Sequence, residues 1–149
     1  VPLRPLVDAL LQAQMARIEA AGLQIENHIG AELSARGEAF LLRQALANLL
    51  DNALDFTPPG GLIRFNAQAL GGQIELRLFN QGEAIPDYAL ARLSERFYSL
   101  PRPGSGRKST GLGLNFVEEV MQLHGGALHI GNVDGGVEAR LSLPLFQSN

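Results

Sequence analysis

The sequence predicts an α/β fold: a two-layer sandwich in which about three helices cover one face of a mixed five-stranded sheet. Three observations point there. A long amphipathic helix, "EAFLLRQALANLLDNALDF", lies mid-chain and stops at Pro58-Pro59-Gly60-Gly61. Two alternating segments follow it, joined by Gly71-Gly72, a tight hairpin signal. A second helix then leads into another pair of alternating segments, so helices and strands interleave along the chain.

The elements follow in order. Pro5 to Ala21 reads as a helix, with Leu6, Leu10, Met15 and Ile18 near helical spacing and Gly22 ending it. "LQIENHI" alternates Leu23, Ile25, Asn27 and Ile29 against Gln24, Glu26 and His28, as a short strand does. In the central helix, Leu42, Leu46, Leu49 and Leu50 share one face, which Ala45 and Ala53 help fill. "LIRFNAQAL" and "QIELRLFN" are the hairpin strands, and Pro86 to Leu93 is a short helix. Residues 98–110, "YSLPRPGSGRKST", combine Pro, Gly, Ser and basic residues and read as a mobile loop. Gly113 to His124 is a helix ended by Gly125-Gly126. "ALHIGNV" and "VEARLSLPL" close the fold through Asp134-Gly135-Gly136.

Composition narrows the function. The 149 residues suit one domain with room for a core, and Val1 in place of an initiator Met reads as a fragment or processed product. A hydrophobic share of 46% against 18% charged is that of a soluble globule. A net charge of -3 offers no broad basic surface, so nucleic acid is not an expected partner. The absence of cysteine excludes disulfides, thiolate metal sites and a Cys nucleophile. His28, His124 and His129 lack metal-ligand spacing. No apolar run is long enough to span a bilayer and no signal peptide is visible, so direct membrane contact is not expected.

Three segments could carry chemistry. In "NLLDNALD", Asn48 and Asn52 are four apart and share a helix face, with Asp51 and Asp55 as a second pair offset by one residue. Two Asn inside a strongly apolar helix either bond neighbouring backbone or present an oxygen to Mg²⁺, an ion that takes hard ligands and shares them with water and phosphates. In "LFNQGEAIPD" an alternating strand ends on Asn80 beside a turn at Gly82, where a polar side chain can meet a ligand. In "KSTGLGLNFVEEV", Gly111 and Gly113 flank Leu112 where a helix begins. Unpaired N–H groups there attract anions, and Lys108, Ser109 and Thr110 add donors. The spacing is neither that of a P-loop nor that of a dinucleotide-binding loop.

Taken in order, these segments resemble the nucleotide-binding boxes of the ATP-binding domain of sensor histidine kinases, a fold shared with gyrase, MutL and heat-shock chaperone ATPases. The resemblance runs from about Leu6 to Phe146. "LLRQALANLLDNALDFTPPGG" is similar to the asparagine box, and "NQGEAIPD" stands at the first glycine box. "SERFYSLPRP" is similar to the phenylalanine box, and "STGLGLNFVEEVMQLHGG" to the second glycine box. The run "RFYSLPRP…KSTGLGL" is especially similar to CreC-type sensor kinases, which also carry Asp after the NAL segment.

The resemblance implies ATP and Mg²⁺ as cofactors, with Asn52 as metal ligand and Asn48 at the phosphates or the metal shell. It implies that Gly111, Leu112 and Gly113 offer backbone N–H groups to the phosphates, with Leu114 just behind. Lys108, Ser109 and Thr110 would lie on a lid that Phe97 and Tyr98 anchor, and Asp55, Asn80, Gly82, Ala84 and Ile85 would complete the pocket. Partners would be the parent protein's own dimerisation and phosphoacceptor domain, then a response regulator, with the parent on the cytoplasmic side of the inner membrane. The chain itself is expected to be one ATP-binding domain over residues 1–149, without the dimerisation or sensor domains. Related ATPases carry a general-base Glu where this chain has Asn48, and an amide cannot take a proton. No histidine here has a phosphoacceptor context, so this segment is expected to bind nucleotide without phosphorylating itself.

Two positions depart from the pattern. The family's adenine-binding Asp is Asn80 here, which can still accept a hydrogen bond but without charge assistance. A family glycine is Ala84, whose Cβ crowds the pocket or restricts the backbone. Weakened ATP binding and a degenerate domain with a regulatory role are both compatible with these changes.

Overall fold

The computed structural model describes residues 1–93 and 112–146, with Leu112 given by its backbone alone. Its elements are α1 (Leu3–Ala13), α2 (Met15–Ala21), β1 (Gln24–Asn27), α3 (Ala39–Phe56), β2 (Leu62–Leu70), β3 (Gln73–Gln81), α4 (Asp87–Leu90), α5 (Leu112–Leu123), β4 (Ala127–Val133) and β5 (Gly136–Pro144). The strands form one five-stranded sheet in the order β1-β2-β3-β5-β4. β1 and β2 pair in parallel and the other neighbours are antiparallel, so the sheet is mixed as expected. Because β1 and β2 are parallel, the chain must cross over between them, and α3 makes that crossing.

Strand alternation decides which face is covered. Ile63 and Phe65 on β2, Ile74, Leu76 and Leu78 on β3, and Leu141 and Leu143 on β5 are all buried. They meet the apolar stripes of the helices: Leu3, Val7 and Leu10 on α1, Leu42, Leu46, Leu49 and Leu50 on α3, and Val117, Val120 and Met121 on α5, in a single core. The intervening residues face the other way and carry charge. Arg64 bonds Glu26 at 3.0 Å and lies over the Phe79 ring, while Arg77 pairs with Glu75 and Glu138. The two faces thus differ as the period of 2 requires. No helix among the described residues is long and apolar enough to cross a membrane.

Three element boundaries differ from the sequence reading. The helix expected over Pro5 to Ala21 is two, broken at Gln14, whose N–H turns back to Leu11 O at 3.1 Å. No Gly or Pro marks this break; just beyond it Arg17 pairs across to α3, a tertiary contact that local pattern does not encode. The first strand stops at Asn27, whose side-chain oxygen accepts from Ile29 N–H at 3.1 Å and turns the chain. The helix after Pro86 is a single turn ending at Leu90. At Gly71 and Gly72 the hairpin has φ of 55° and 83°, the two positive values a two-residue turn needs for its twist to match the strands.

Candidate nucleotide-binding site

α3 carries two kinds of side chain on two flanks. Its leucines enter the core, while Asn48 and Asn52 lie half-buried on the flank that faces α5. The start of α5 comes close to both: a β-carbon built on Gly113 would stand 3.9 Å from Asn48 Cβ and 3.9 Å from Asn52 Nδ2. The amino end of α5 and the amide flank of α3 are therefore neighbours. Asn48 Oδ1 accepts from Gln44 Nε2 at 3.1 Å, one turn earlier on the same helix.

The two helices run in opposite directions, and their other ends are tied together as well. His124 Nε2 accepts from the Glu38 N–H at 3.0 Å, and Nδ1 stands 2.7 Å from Val120 O. An imidazole that accepts at Nε2 carries its proton on Nδ1, which then donates to that carbonyl. His124 is thus the helix-end cap that its position before two glycines suggests, with an added reach to the next helix.

The first-glycine-box segment meets the last turn of α3. A Cβ on Gly82 would lie 3.2 Å from Phe56 O and 3.9 Å from Asn80 Nδ2. Asn80 is buried, on the helix-covered side of β3. Phe56 stands one turn, about 6 Å, beyond Asn52 along the axis. So Asn48, Asn52 and Gly113 cluster around the middle of α3, with Asn80 and Gly82 at its carboxyl end.

Other expected site residues fall as follows. Ala84 is exposed and Ile85 half-buried in the segment that leads to α4. Leu114 packs against the core. Leu112 opens α5. Asp55 is paired with Arg17 of α2, which also bonds Asp51 at 2.8 Å, so one guanidinium joins two carboxylates a turn apart on α3. Phe97, Tyr98, Lys108, Ser109, Thr110 and Gly111 lie outside the described residues. Among the described residues, no group of three or more His, Asp or Glu side chains is placed to hold a metal ion.

Sequence reasoning missed Arg17, Gln44 and Asn132. Asn132 is in a strand whose other features are ordinary, and its side chain bonds the main chain of Ile85. A perturbed carboxyl lies on the opposite face of the sheet: Glu26 is held below the usual glutamate range by hydrogen bonds from His28 and then Arg64.

Comparison with known proteins agrees with this fold. Residues 37–147 match the model of the histidine kinase-, DNA gyrase B- and HSP90-like ATPases. Sensor protein CreC of Escherichia coli K12 is 48% identical over 128 residues, which cover 85% of this chain and 27% of that protein. The chain thus spans about a quarter of that curated relative. The catalytic domain of histidine kinase ThkA, without nucleotide, superposes with a TM-score of 0.86 at 20% identity, over 97% of this chain and 93% of that one. Full-length ShkA in complex with AMPPNP superposes with a TM-score of 0.80 at 25% identity, over 99% of this chain and 31% of that one. With the family model matched across both helices that frame the site and all but the first strand of the sheet, the chain belongs to the histidine kinase-, DNA gyrase B- and HSP90-like ATPase family.

Proposed function

We propose that this chain is the ATP-binding catalytic domain of a two-component sensor histidine kinase, presenting the γ-phosphate to a histidine on a separate dimerisation domain. The observation that carries the reading is the approach of Gly113, at the start of α5, to Asn48 and Asn52 on α3. A helix start supplies unpaired N–H groups and a positive dipole end, both favourable to phosphate. The two side chains opposite carry amide oxygens, hard neutral ligands of the type Mg²⁺ takes when phosphates and water complete its shell. The donor set therefore fits this ion, with Asn52 as its ligand and Asn48 at the phosphates or the outer shell. When bound, the ion would neutralise charge on the phosphate oxygens.

The chain's own part is to bind and orient. Asn48 in place of a carboxylate leaves no base at that position to activate water, so bound ATP is not hydrolysed rapidly by this domain alone. That suits a transfer whose nucleophile, an imidazole, arrives from elsewhere. The phosphate then passes to a response regulator. Family membership and the likeness to CreC, a sensor protein, support these partners. Asn80 gives up charge assistance at the adenine, so binding is weak but real. Lys108, Ser109, Thr110, Gly111 and Leu112 belong to the same reading as phosphate and lid residues, with Phe97 and Tyr98 anchoring the lid.

Isothermal titration with Mg-ATP tests the binding. Heat of saturable binding is expected; none at millimolar nucleotide, in folded protein, would remove the proposal. For the transfer, the parent protein incubated with γ-labelled ATP should carry acid-labile phosphate on a histidine outside these residues.

A further inference from the structure

The segment between β3 and α4 pairs with no strand among the described residues, yet its main chain is held. Asn132, on the edge strand β4, donates from Nδ2 to Ile85 O at 2.8 Å and accepts from the Ile85 N–H through Oδ1 at 2.8 Å. One side-chain amide satisfies both main-chain groups of one residue, as a neighbouring strand would. Close by, the Gly82 N–H donates to Gly135 O at 3.2 Å, so the β4–β5 hairpin grips this segment at two points.

The register shows where this grip acts. Asn132 pairs with Val137, and Val137 pairs with Asn80. The three residues form one row across β4, β5 and β3, and side chains in such a row share a face. Asn132 therefore projects on the same face as Asn80, two strands away. Ile85, which it clasps, lies five residues beyond Asn80 in the chain, past the Gly82 turn that rests on α3.

We infer that Asn132 is a positioning residue for the base end of the nucleotide pocket: by clasping Ile85 it holds residues 82–86 as the wall that receives the adenine. This rests on the nucleotide reading above and adds to it a residue outside the boxes that carry it. The physical need is clear. Among the described residues no ladder fixes residues 82–86, and a pocket wall that wanders is competent only for part of the time. Apparent affinity falls in proportion to that competent fraction. The clasp is exposed and outside the core, so its loss affects the wall far more than the fold.

The test compares wild type with Asn132→Ala and Asn132→Asp by titration with Mg-ATP and Mg-GTP, alongside melting midpoint and hydrogen exchange of the Ile85 amide. Asn132→Ala is expected to bind Mg-ATP about tenfold more weakly. It should also discriminate less between ATP and GTP, exchange the Ile85 amide faster and keep its midpoint. Asn132→Asp retains the acceptor for the Ile85 N–H but not the donor to its carbonyl, and should fall between. Unchanged ATP affinity in Asn132→Ala overturns the inference and leaves the nucleotide reading standing. Equal loss for both nucleotides, or a wild type that does not prefer ATP, also overturns it, since the wall then does not read the base. A wild type that binds neither nucleotide overturns both readings.

Discussion

Gly113 faces Asn52 across a gap that a methyl group would bring into contact: a β-carbon at position 113 would fall 3.9 Å from Asn52 Nδ2. That is ordinary van der Waals contact, and the residue sits in the first turn of α5. Gly113→Ala should therefore fold. Alanine favours a helix over glycine by up to about 1 kcal/mol, so the melting midpoint should hold or rise. The methyl would occupy the approach between the helix start and the amide flank of α3, and Mg-ATP affinity should drop by about tenfold, or about 1.4 kcal/mol. Calorimetric titration paired with a thermal melt separates the two effects. A lowered midpoint with intact binding would mean that the glycine serves packing and not the ligand.

Asn80 is buried on the covered face of β3, where an adenine amino group would meet it in the proposed reading. Asn80→Asp should tighten Mg-ATP roughly tenfold, because a charged acceptor makes about twice as strong a bond as a neutral one. The gain should be smaller for nucleotides whose base lacks that amino group. A weaker ATP complex in Asn80→Asp would exclude this residue from the base contact.

Gly136 is where β5 passes the end of β3. A β-carbon there would come within 2.1 Å of Asn80 O, a main-chain atom that cannot turn aside. Gly136→Ala should destabilise by about 3 kcal/mol, the upper range for overpacking. Urea unfolding would show it as a lower midpoint at constant slope. A change under about 0.5 kcal/mol, the level of a neutral surface substitution, would contradict the close approach.

His124 joins the end of α5 to the start of α3 through its two ring nitrogens. His124→Ala removes both bonds and should cost about 1–2 kcal/mol. Hydrogen exchange at the Glu38 amide should quicken more than at amides in the middle of α3. Equal protection in both proteins would show that the ring does not hold that amide.

On the open face, Glu26 has its pKa lowered by His28 and Arg64. A carboxyl whose folded pKa lies below its unfolded one adds stability that is present above the unfolded value and lost as pH falls through the folded value. The window is therefore acid, at and below the ordinary glutamate range. His28→Ala should move the Glu26 titration, followed by carboxyl NMR, upward, and Arg64→Ala should move it the same way. Glu26 titrating lower in either variant would contradict the pairing.

Much of this molecule can be read from its chain. β2 spans Leu62–Leu70 because alternation and the Gly71-Gly72 turn fix both its face and its end. α3 is equally plain, since Leu42, Leu46, Leu49 and Leu50 mark the core flank and leave the Asn48–Asn52 pair on another. The break at Gln14, the Arg17 link to Asp51 and Asp55, and the Asn132 clasp on Ile85 are hidden. The last two depend on residues far apart in sequence, and neither periodicity nor turn chemistry carries such information; at Gln14 no Gly or Pro marks the break. Asp55 shows the difference: resemblance expects it in the pocket, and no local pattern shows that its carboxylate also pairs with a guanidinium from α2.

Because α3 both fills the core and bears the paired amides, its phase is shared property. Each residue of an α-helix advances the face by about 100°. One extra alanine inserted near Leu46 would swing Asn48 and Asn52 away from α5 and turn Leu49 and Leu50 off the sheet in the same stroke. Chain-length change within this segment thus cannot erode recognition gradually; fold and recognition fail together, and only substitutions in place can tune one without the other.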